Sequence, residues 1–234
     1  MFRCPEVGKS EIHPTGIYLM TRLNDKQLEP ISKEVKVIQS DLDTTDKSMN
    51  RLLAGNIKHS VKLSASCEKY MLQVVEPLLW ELQTKHPVVY RHNTCENLSA
   101  EFETELHMID LWVNFQAKHD FNPPHRHSGV YSFVLWLSVP YNIDEEKRQP
   151  RSLDSHDPLA GAFSFTYQNC LGQIVNFSIP VDRKMEGCLC LFPAELMHQV
   201  YPFYTSDEYR ISISGNLTLK NGAPKPKCQS ITML

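Results

Sequence analysis

The chain has 234 residues, enough for a full hydrophobic core in a single domain over 1–234. Its 24 basic and 27 acidic residues give a formal charge of -3. That excludes the global positive field of a protein held mainly by nucleic-acid phosphates and leaves room only for a local basic groove.

Seven cysteines are scattered with no C-x-x-C pair, no secretory leader opens the chain, and no apolar run approaches the ~20 residues of a membrane helix. These features predict a soluble protein in a reducing, cytoplasmic setting. Cys188 and Cys190 alternate with Leu189 and Leu191, so one face of a buried strand accounts for them better than a pair of thiolate ligands.

Residues 1–16 are polar and carry Pro5, Pro14 and Gly16, which predicts an irregular arm. A strand is expected at 17–20, followed by a helix capped by Asn24 or Asp25 with Leu28, Ile31, Val35 and Ile38 on one face. Residues 40–55 favour loop with at most a short helical turn, and 56–63 read as a strand. A second helix starts at Ser64 or Ser66 with Tyr70, Met71, Val74, Val75, Leu78 and Leu82 as its apolar stripe. Pro77 inside that stripe predicts a kink or a restart.

After Lys85 the pattern changes to short runs rich in aromatic and β-branched residues, at 106–116, 131–140, 162–168, 173–180, 187–192, 198–203 and 209–219. That many strands without intervening helical spacing indicates a β-sandwich or jelly roll. The strand from Tyr131 is apolar on both faces, with Tyr131, Phe133, Leu135 and Leu137 opposite Val134 and Trp136, so it must be covered on both sides. The expected architecture is therefore mainly β with flanking helices. Residues 1–105 buttress a jelly-roll core at 106–219, and 220–234 form a loose tail. The charged segment 142–158 reads as a solvated loop at the open end of the roll, with a substrate lid as its functional alternative.

His125 and His127 share one face of an extended segment stiffened by Pro123 and Pro124, so both imidazoles can meet one ion. His198 stands at the start of a distant strand, which a roll of this topology brings close. Three histidines suit a borderline transition ion such as iron. On the strand from Tyr209, Arg210 and Ser212 alternate with Ile211 and Ile213, so the polar pair faces one side. A guanidinium there must meet an anion or water, either as a clamp for a carboxylate or in a surface salt bridge to Asp207 or Glu208. His119-Asp120 and His156-Asp157 are adjacent pairs that chelate poorly, and His107 and Asp110 read as surface polar groups.

Taken together, Trp112-x-Asn114, Asn122-Pro123-Pro124-His125-x-His127-Ser128-Gly129, Phe192-Pro193 before His198, and Arg210-Ile211-Ser212 with Asn216 resemble the iron(II)- and 2-oxoglutarate-dependent oxygenases of marine bacteriophages and bacteria. The likeness is specific over 111–217 and weaker over 17–63, where Leu53-Ala54-Gly55-Asn56-Ile57 is also similar to members of that group. It implies a double-stranded β-helix, the cupin-like jelly roll. It also implies His125 and His198 as iron ligands, and Arg210 with Ser212 as the clamp for the distal carboxylate of 2-oxoglutarate.

His127 departs from the superfamily's His-x-Asp or His-x-Glu pattern and makes the metal set His125, His127 and His198. Asn114 and Tyr131 are candidates to hydrogen-bond the cosubstrate, with core roles as the alternative. The implied cofactors are Fe(II), 2-oxoglutarate and O2, and the implied reaction is hydroxylation with release of succinate and CO2. The substrate class stays open among protein side chains, nucleobases and small metabolites, with a peptidyl residue such as proline as first candidate. No membrane partner and no bulk nucleic-acid partner are expected, the oligomeric state is left open, and a phage-borne chain would work in its host's cytoplasm. The competing readings are a three-histidine cupin acting without 2-oxoglutarate and a non-catalytic jelly roll used as a binding or virion component.

Overall fold

The computed structural model describes residues 5–15, 17–42, 48–86, 98–99 and 101–225, so Cys4, Cys95, Cys228 and the end of the expected tail lie outside the described residues. In chain order come β1 (Ser10–Ile12), β2 (Leu19–Arg22), α1 (Asp25–Ser40), β3 (His59–Lys62), α2 (Ala65–Lys85), β4 (Phe102–Gln116) and β5 (Asn122–His125). Then follow β6 (Tyr131–Ser138), α3 (Ile143–Lys147), α4 (Pro150–Leu153), β7 (Ala162–Gln168), β8 (Ile174–Pro180), β9 (Cys188–Pro193), β10 (Met197–Val200) and β11 (Arg210–Pro224).

Seven strands form a major antiparallel sheet in the order β1-β2-β9-β6-β11-β4-β3, and four form a minor sheet in the order β5-β10-β7-β8. The sheets face each other as a jelly roll, and α1 and α2 cover the outer face of the major sheet. Two cores result. Ile31, Val35, Met71, Val75 and Leu79 pack from the helices onto Leu111, Val113, Phe133, Leu135, Ile211 and Ile213. Between the sheets lie Val134, Trp136, Phe163, Phe165, Ile179, Cys190 and Phe192. The two apolar faces of β6 thus serve two cores, as its sequence requires.

The segment before residue 106 supplies more than a buttress. β1 and β2 extend the major sheet beyond β9, and β3 extends it beyond β4, so both edges of the sheet come from the amino-terminal part. These strands satisfy backbone groups that a bare jelly roll would leave open along its edges. At the other end, β11 runs on to Pro224 against β4, so the expected loose tail begins inside a strand.

Local chemistry explains the helices. Asn24 accepts from the Gln27 backbone N–H while the Gln27 side chain accepts from the Asn24 N–H, a reciprocal cap at the start of α1. Ser64 caps α2. Of the kink or restart expected at Pro77, the restart does not occur: α2 continues through Pro77, which is solvent-exposed, as is Gln73 one turn earlier. Water can reach the carbonyl that proline leaves without a donor, so the helix is not forced to end.

Residues 142–158 form α3 and α4 rather than a loose loop. Their anchor is Glu146, whose fully buried carboxylate accepts from the Tyr204 and Thr205 backbone N–H groups and from the Thr205 hydroxyl, at 2.9, 2.8 and 2.5 Å. Cys188 and Cys190 lie fully buried on β9 as the strand reading expects; Cys190 is a free thiol, but Cys188 is disulfide-bonded, which departs from thiols throughout. No helix among the described residues is long and apolar enough to cross a membrane.

Candidate metal centre and anion clamp

β5 and β10 are antiparallel neighbours, and their register sets His125 opposite His198. Paired residues on adjacent strands share a face, so this pairing brings together two imidazoles far apart in sequence. His127 follows β5, and its backbone N–H donates to the Ala194 carbonyl at 2.9 Å, which folds the third ring onto the same point. One nitrogen from each ring lies within 4.8 Å of the others.

The Nε2 atoms of His127 and His198 stand 3.1 Å apart. Two nitrogens bound at about 2.1 Å to one ion and at right angles to each other are separated by about 3 Å, so this spacing is that of neighbouring ligands. Nδ1 of His125 lies 2.7 Å from the Pro123 carbonyl, and Nδ1 of His198 lies 2.9 Å from the Leu196 carbonyl. Only a protonated Nδ1 makes those bonds, which leaves each Nε2 lone pair directed at the common centre.

Burial reinforces this state. Desolvation holds all three histidines below the usual imidazole range, well below for His198 and down to about 4 for His127; repulsion from neighbouring imidazoles adds a smaller lowering at His127 and His198, and the Pro123 carbonyl partly opposes the lowering at His125. Phe163 and Phe192 pack against the His198 ring, and Trp112 meets the His127 ring edge-on. Neutral, oriented imidazoles in an aromatic surround are the form in which histidine binds a transition ion. Among the described residues no carboxylate or thiolate joins the cluster, so the donors present fit an ion through three nitrogens.

The same cavity, of about 170 Å³, continues inward between the sheets. Register on the major sheet places Arg210 opposite Gln116, Ser212 opposite Asn114 and Ser214 opposite Trp112, and all six line the cavity. The alternation expected for β11 therefore holds, with Ile211 and Ile213 turned into the helix-side core. The surface salt-bridge reading of Arg210 fails: its side chain is 2% exposed, and Asp207 pairs with Lys118 instead.

Five hydrogen bonds hold the Arg210 guanidinium. Nε and Nη2 donate to Gln116 Oε1 at 3.1 and 2.6 Å, Nη1 to the Tyr141 hydroxyl and the Gly161 carbonyl at 2.5 and 3.0 Å, and Nη2 also to the Tyr201 carbonyl at 3.1 Å. Every acceptor is neutral. The result is a buried cation whose donors are satisfied but whose charge has no carboxylate partner among the described residues, a strong inducement to bind an anion from the cavity.

Asn114 is held in place by the Ser60 hydroxyl and the Trp112 indole, both donating to its Oδ1, and its own amide donates to Ser214. Tyr131 is a correction. It faces the helix-side core and its hydroxyl donates to Gln83 of α2 at 2.8 Å, so it cannot hydrogen-bond a ligand in this cavity. The parity of a strand with two apolar faces does not reveal which face meets the cavity.

Sequence reasoning missed Gln116, although it shares the Trp112-Asn114 parity on β4. It also looked for the mouth in the wrong segment. Among the described residues, none from 142–158 lines the cavity, whereas Leu53, Ala54 and Ile57 do. That earlier loop is drawn close by Gly55: a Cβ there would stand 1.9 Å from Asn122 Oδ1.

Residues 110–216 match the family described as "Putative 2OG-Fe(II) oxygenase". Over that span, somewhat less than half of the chain, the sequence is similar to the 2OG-Fe(II) oxygenase family, and this supports a 2OG-Fe(II) oxygenase. Among solved structures, the fold of this oxygenase is similar to a 2OG-Fe(II) oxygenase family oxidoreductase from Burkholderia pseudomallei, with TM-score 0.50 at 13% identity over 96% of this chain and 98% of that one. It is also similar to the non-heme alpha-ketoglutarate-dependent epimerase SnoN of nogalamycin biosynthesis, with TM-score 0.51 at 12% identity over 92% and 81%. A prolyl-4-hydroxylase from Pseudomonas putida aligns at TM-score 0.48 and 16% identity over 85% and 91%. No curated protein matches the chain. The double-stranded β-helix of the 2OG-Fe(II) oxygenases is thus the fold of this chain.

Proposed function

We propose that the oxygenase binds iron(II) through His125, His127 and His198, and holds the distal carboxylate of 2-oxoglutarate on Arg210 and Ser212, with Asn114 beside it. Its reaction on this reading is hydroxylation of an unactivated C–H bond in a peptidyl residue, proline first. The observation that carries the reading is the coexistence in one cavity of three neutral imidazoles converging on a point and a buried guanidinium with no carboxylate partner among the described residues.

When bound, iron(II) with 2-oxoglutarate and O2 supplies the oxidising chemistry, releasing succinate and CO2. The chain's own residues do the rest. Arg210 neutralises and orients the cosubstrate at a fixed depth. Phe163, Phe192 and Trp112 keep water from the imidazoles. At the mouth, Leu53, Ala54 and Ile57 form an apolar wall that suits an aliphatic side chain such as a prolyl ring, while the exposed Arg126 also lines the cavity.

The test is aerobic incubation with iron(II) and 2-oxoglutarate, measuring succinate with and without proline-containing peptides, beside His198→Ala. Equal succinate from both proteins would sink the reading. A substrate-dependent rise with non-peptide candidates alone would keep the oxygenase and move its substrate. The all-nitrogen cluster also fits a three-histidine cupin acting without 2-oxoglutarate; that reading gains if Arg210→Ala retains activity on the oxidised substrate.

A further inference from the structure

The guanidinium of Arg210 has two edges with different surroundings. Its Nη1 side is backed by Tyr141 and the Gly161 carbonyl, neither of which lines the cavity, whereas the Nε/Nη2 edge is taken by Gln116, which does. Gln116 Oε1 accepts from both nitrogens of that edge, and this fork is also the one a carboxylate takes in a two-point pair with arginine. An anion arriving through the cavity therefore meets the amide oxygen in its seat.

The other end of the same amide is also engaged. Gln116 Nε2 donates to the Asp120 carbonyl at 2.6 Å. The Asp120 carboxylate accepts from the Ala117 backbone N–H at 3.1 Å and from the Lys58 backbone N–H at 3.3 Å, and the Phe121 carbonyl accepts from the Asn56 N–H at 2.9 Å. Asn56 and Lys58 flank Ile57, and they belong to the loop whose Leu53, Ala54 and Ile57 wall the mouth. Continuous hydrogen bonding thus runs from the anion seat to the mouth.

We propose that Gln116 is a positioning residue that occupies the carboxylate seat on Arg210 until 2-oxoglutarate displaces it, and that its departure loosens the mouth loop at 53–58. This rests on the assignment of Arg210 as the 2-oxoglutarate clamp. It gives the site an order of events: the seat fills first, the Asp120 carbonyl loses its donor, and the loop then yields to substrate. The interaction is an exchange of one neutral acceptor for a charged one on the same donors, so the carboxylate wins the seat by charge while the amide prevents the guanidinium from standing unsatisfied beforehand.

The experiment is calorimetric titration of the full-length, iron(II)-loaded protein with 2-oxoglutarate without O2, with amide hydrogen exchange at Asn56 and Lys58 measured in parallel. Wild type should bind, and the two amides should exchange at least threefold faster once it does. Gln116→Ala should keep 2-oxoglutarate affinity within about threefold of wild type or improve it, with both amides already fast and unresponsive. Gln116→Glu, which sets a competing carboxylate in the seat, should weaken 2-oxoglutarate at least thirtyfold with metal stoichiometry unchanged.

A tenfold loss of affinity in Gln116→Ala, or wild-type amides indifferent to 2-oxoglutarate, would show a static brace and overturn the proposal. If Gln116→Glu fails to fold, the alanine variant and the exchange rates still decide. Failure of wild type to bind 2-oxoglutarate at all is a different result: it removes the clamp assignment itself, and the exchange mechanism with it.

Discussion

Replacing Arg210 by Met separates the clamp from the rest of the site. Methionine keeps an unbranched side chain of similar reach and removes a buried charge that faces the cavity without a carboxylate partner among the described residues. Truncating one member of a buried, hydrogen-bonded charge pair costs about 2–5 kcal/mol, which at about 1.4 kcal/mol per decade is a roughly 30- to 4,000-fold loss of 2-oxoglutarate affinity. Iron binding should stay within about threefold, because Arg210 makes no hydrogen bond to any of the three histidines. The metal-free fold loses hydrogen bonds to four neutral acceptors but is relieved of a desolvated charge, so its stability should fall by less than the 3–5 kcal/mol typical of breaking a buried ion pair. Calorimetry for the ligand, equilibrium dialysis for the metal and urea unfolding for the fold read these three effects apart. A variant that still binds 2-oxoglutarate within threefold of wild type would refute the clamp.

Further outcomes follow from the same geometry. Because burial holds His125, His127 and His198 below the 6.5 of an unfolded histidine, the unfolded chain binds more protons as the medium acidifies. The metal-free protein should therefore lose stability as pH falls from 6.5 toward 4, by up to about 1.4 kcal/mol per pH unit for each histidine, read as a falling urea midpoint; a midpoint flat over that window contradicts it. Glu146→Ala strips the acceptor from three donors at Tyr204 and Thr205 and should cost about 3 kcal/mol or more, with Glu146→Gln costing less, both read by thermal unfolding. Gly55→Ala drives a methyl group into the Asn122 side chain and should displace the mouth loop; Asn122→Ala in the same chain should restore amide protection at Asn56, and no restoration would mean that the contact is not what sets the loop.

The sequence carried the centre better than its rim. The convergence of His125, His127 and His198, and the shared face of Arg210 and Ser212, were readable because strand parity is strict; the residues alone left Arg210 open between a carboxylate clamp and a surface salt bridge, and the structure removes the latter. The same parity could not assign Tyr131, since both faces of β6 are apolar and only the position of α2 decides between them. Gln116 had the right parity but no distinctive chemistry until Arg210 was seen across the register. The mouth was hidden for a different reason. The approach of Gly55 to Asn122 joins residues distant in the chain, and nothing local in either segment announces it. Residues 142–158 misled through composition, because charged residues suggest solvent, while Glu146 is fully buried as an anchor for backbone donors.

The metal cluster and the clamp make one electrostatic argument. Three imidazoles contribute no charge, so an ion held by them keeps its full positive charge, and Arg210 adds a further one deeper in the same cavity. No described acidic residue joins the histidine cluster, and the acceptors on Arg210 are all neutral. In a low-dielectric cavity that excess is costly unless an anion spans both ends. On the proposed reading a dicarboxylate would do so, with its distal carboxylate on Arg210. On that reading, His127 standing where an acidic ligand is usual would shift the burden of neutralisation from the protein to the cosubstrate. The residue that departs from the superfamily pattern would thus be one that makes the proposed site depend on a dianion.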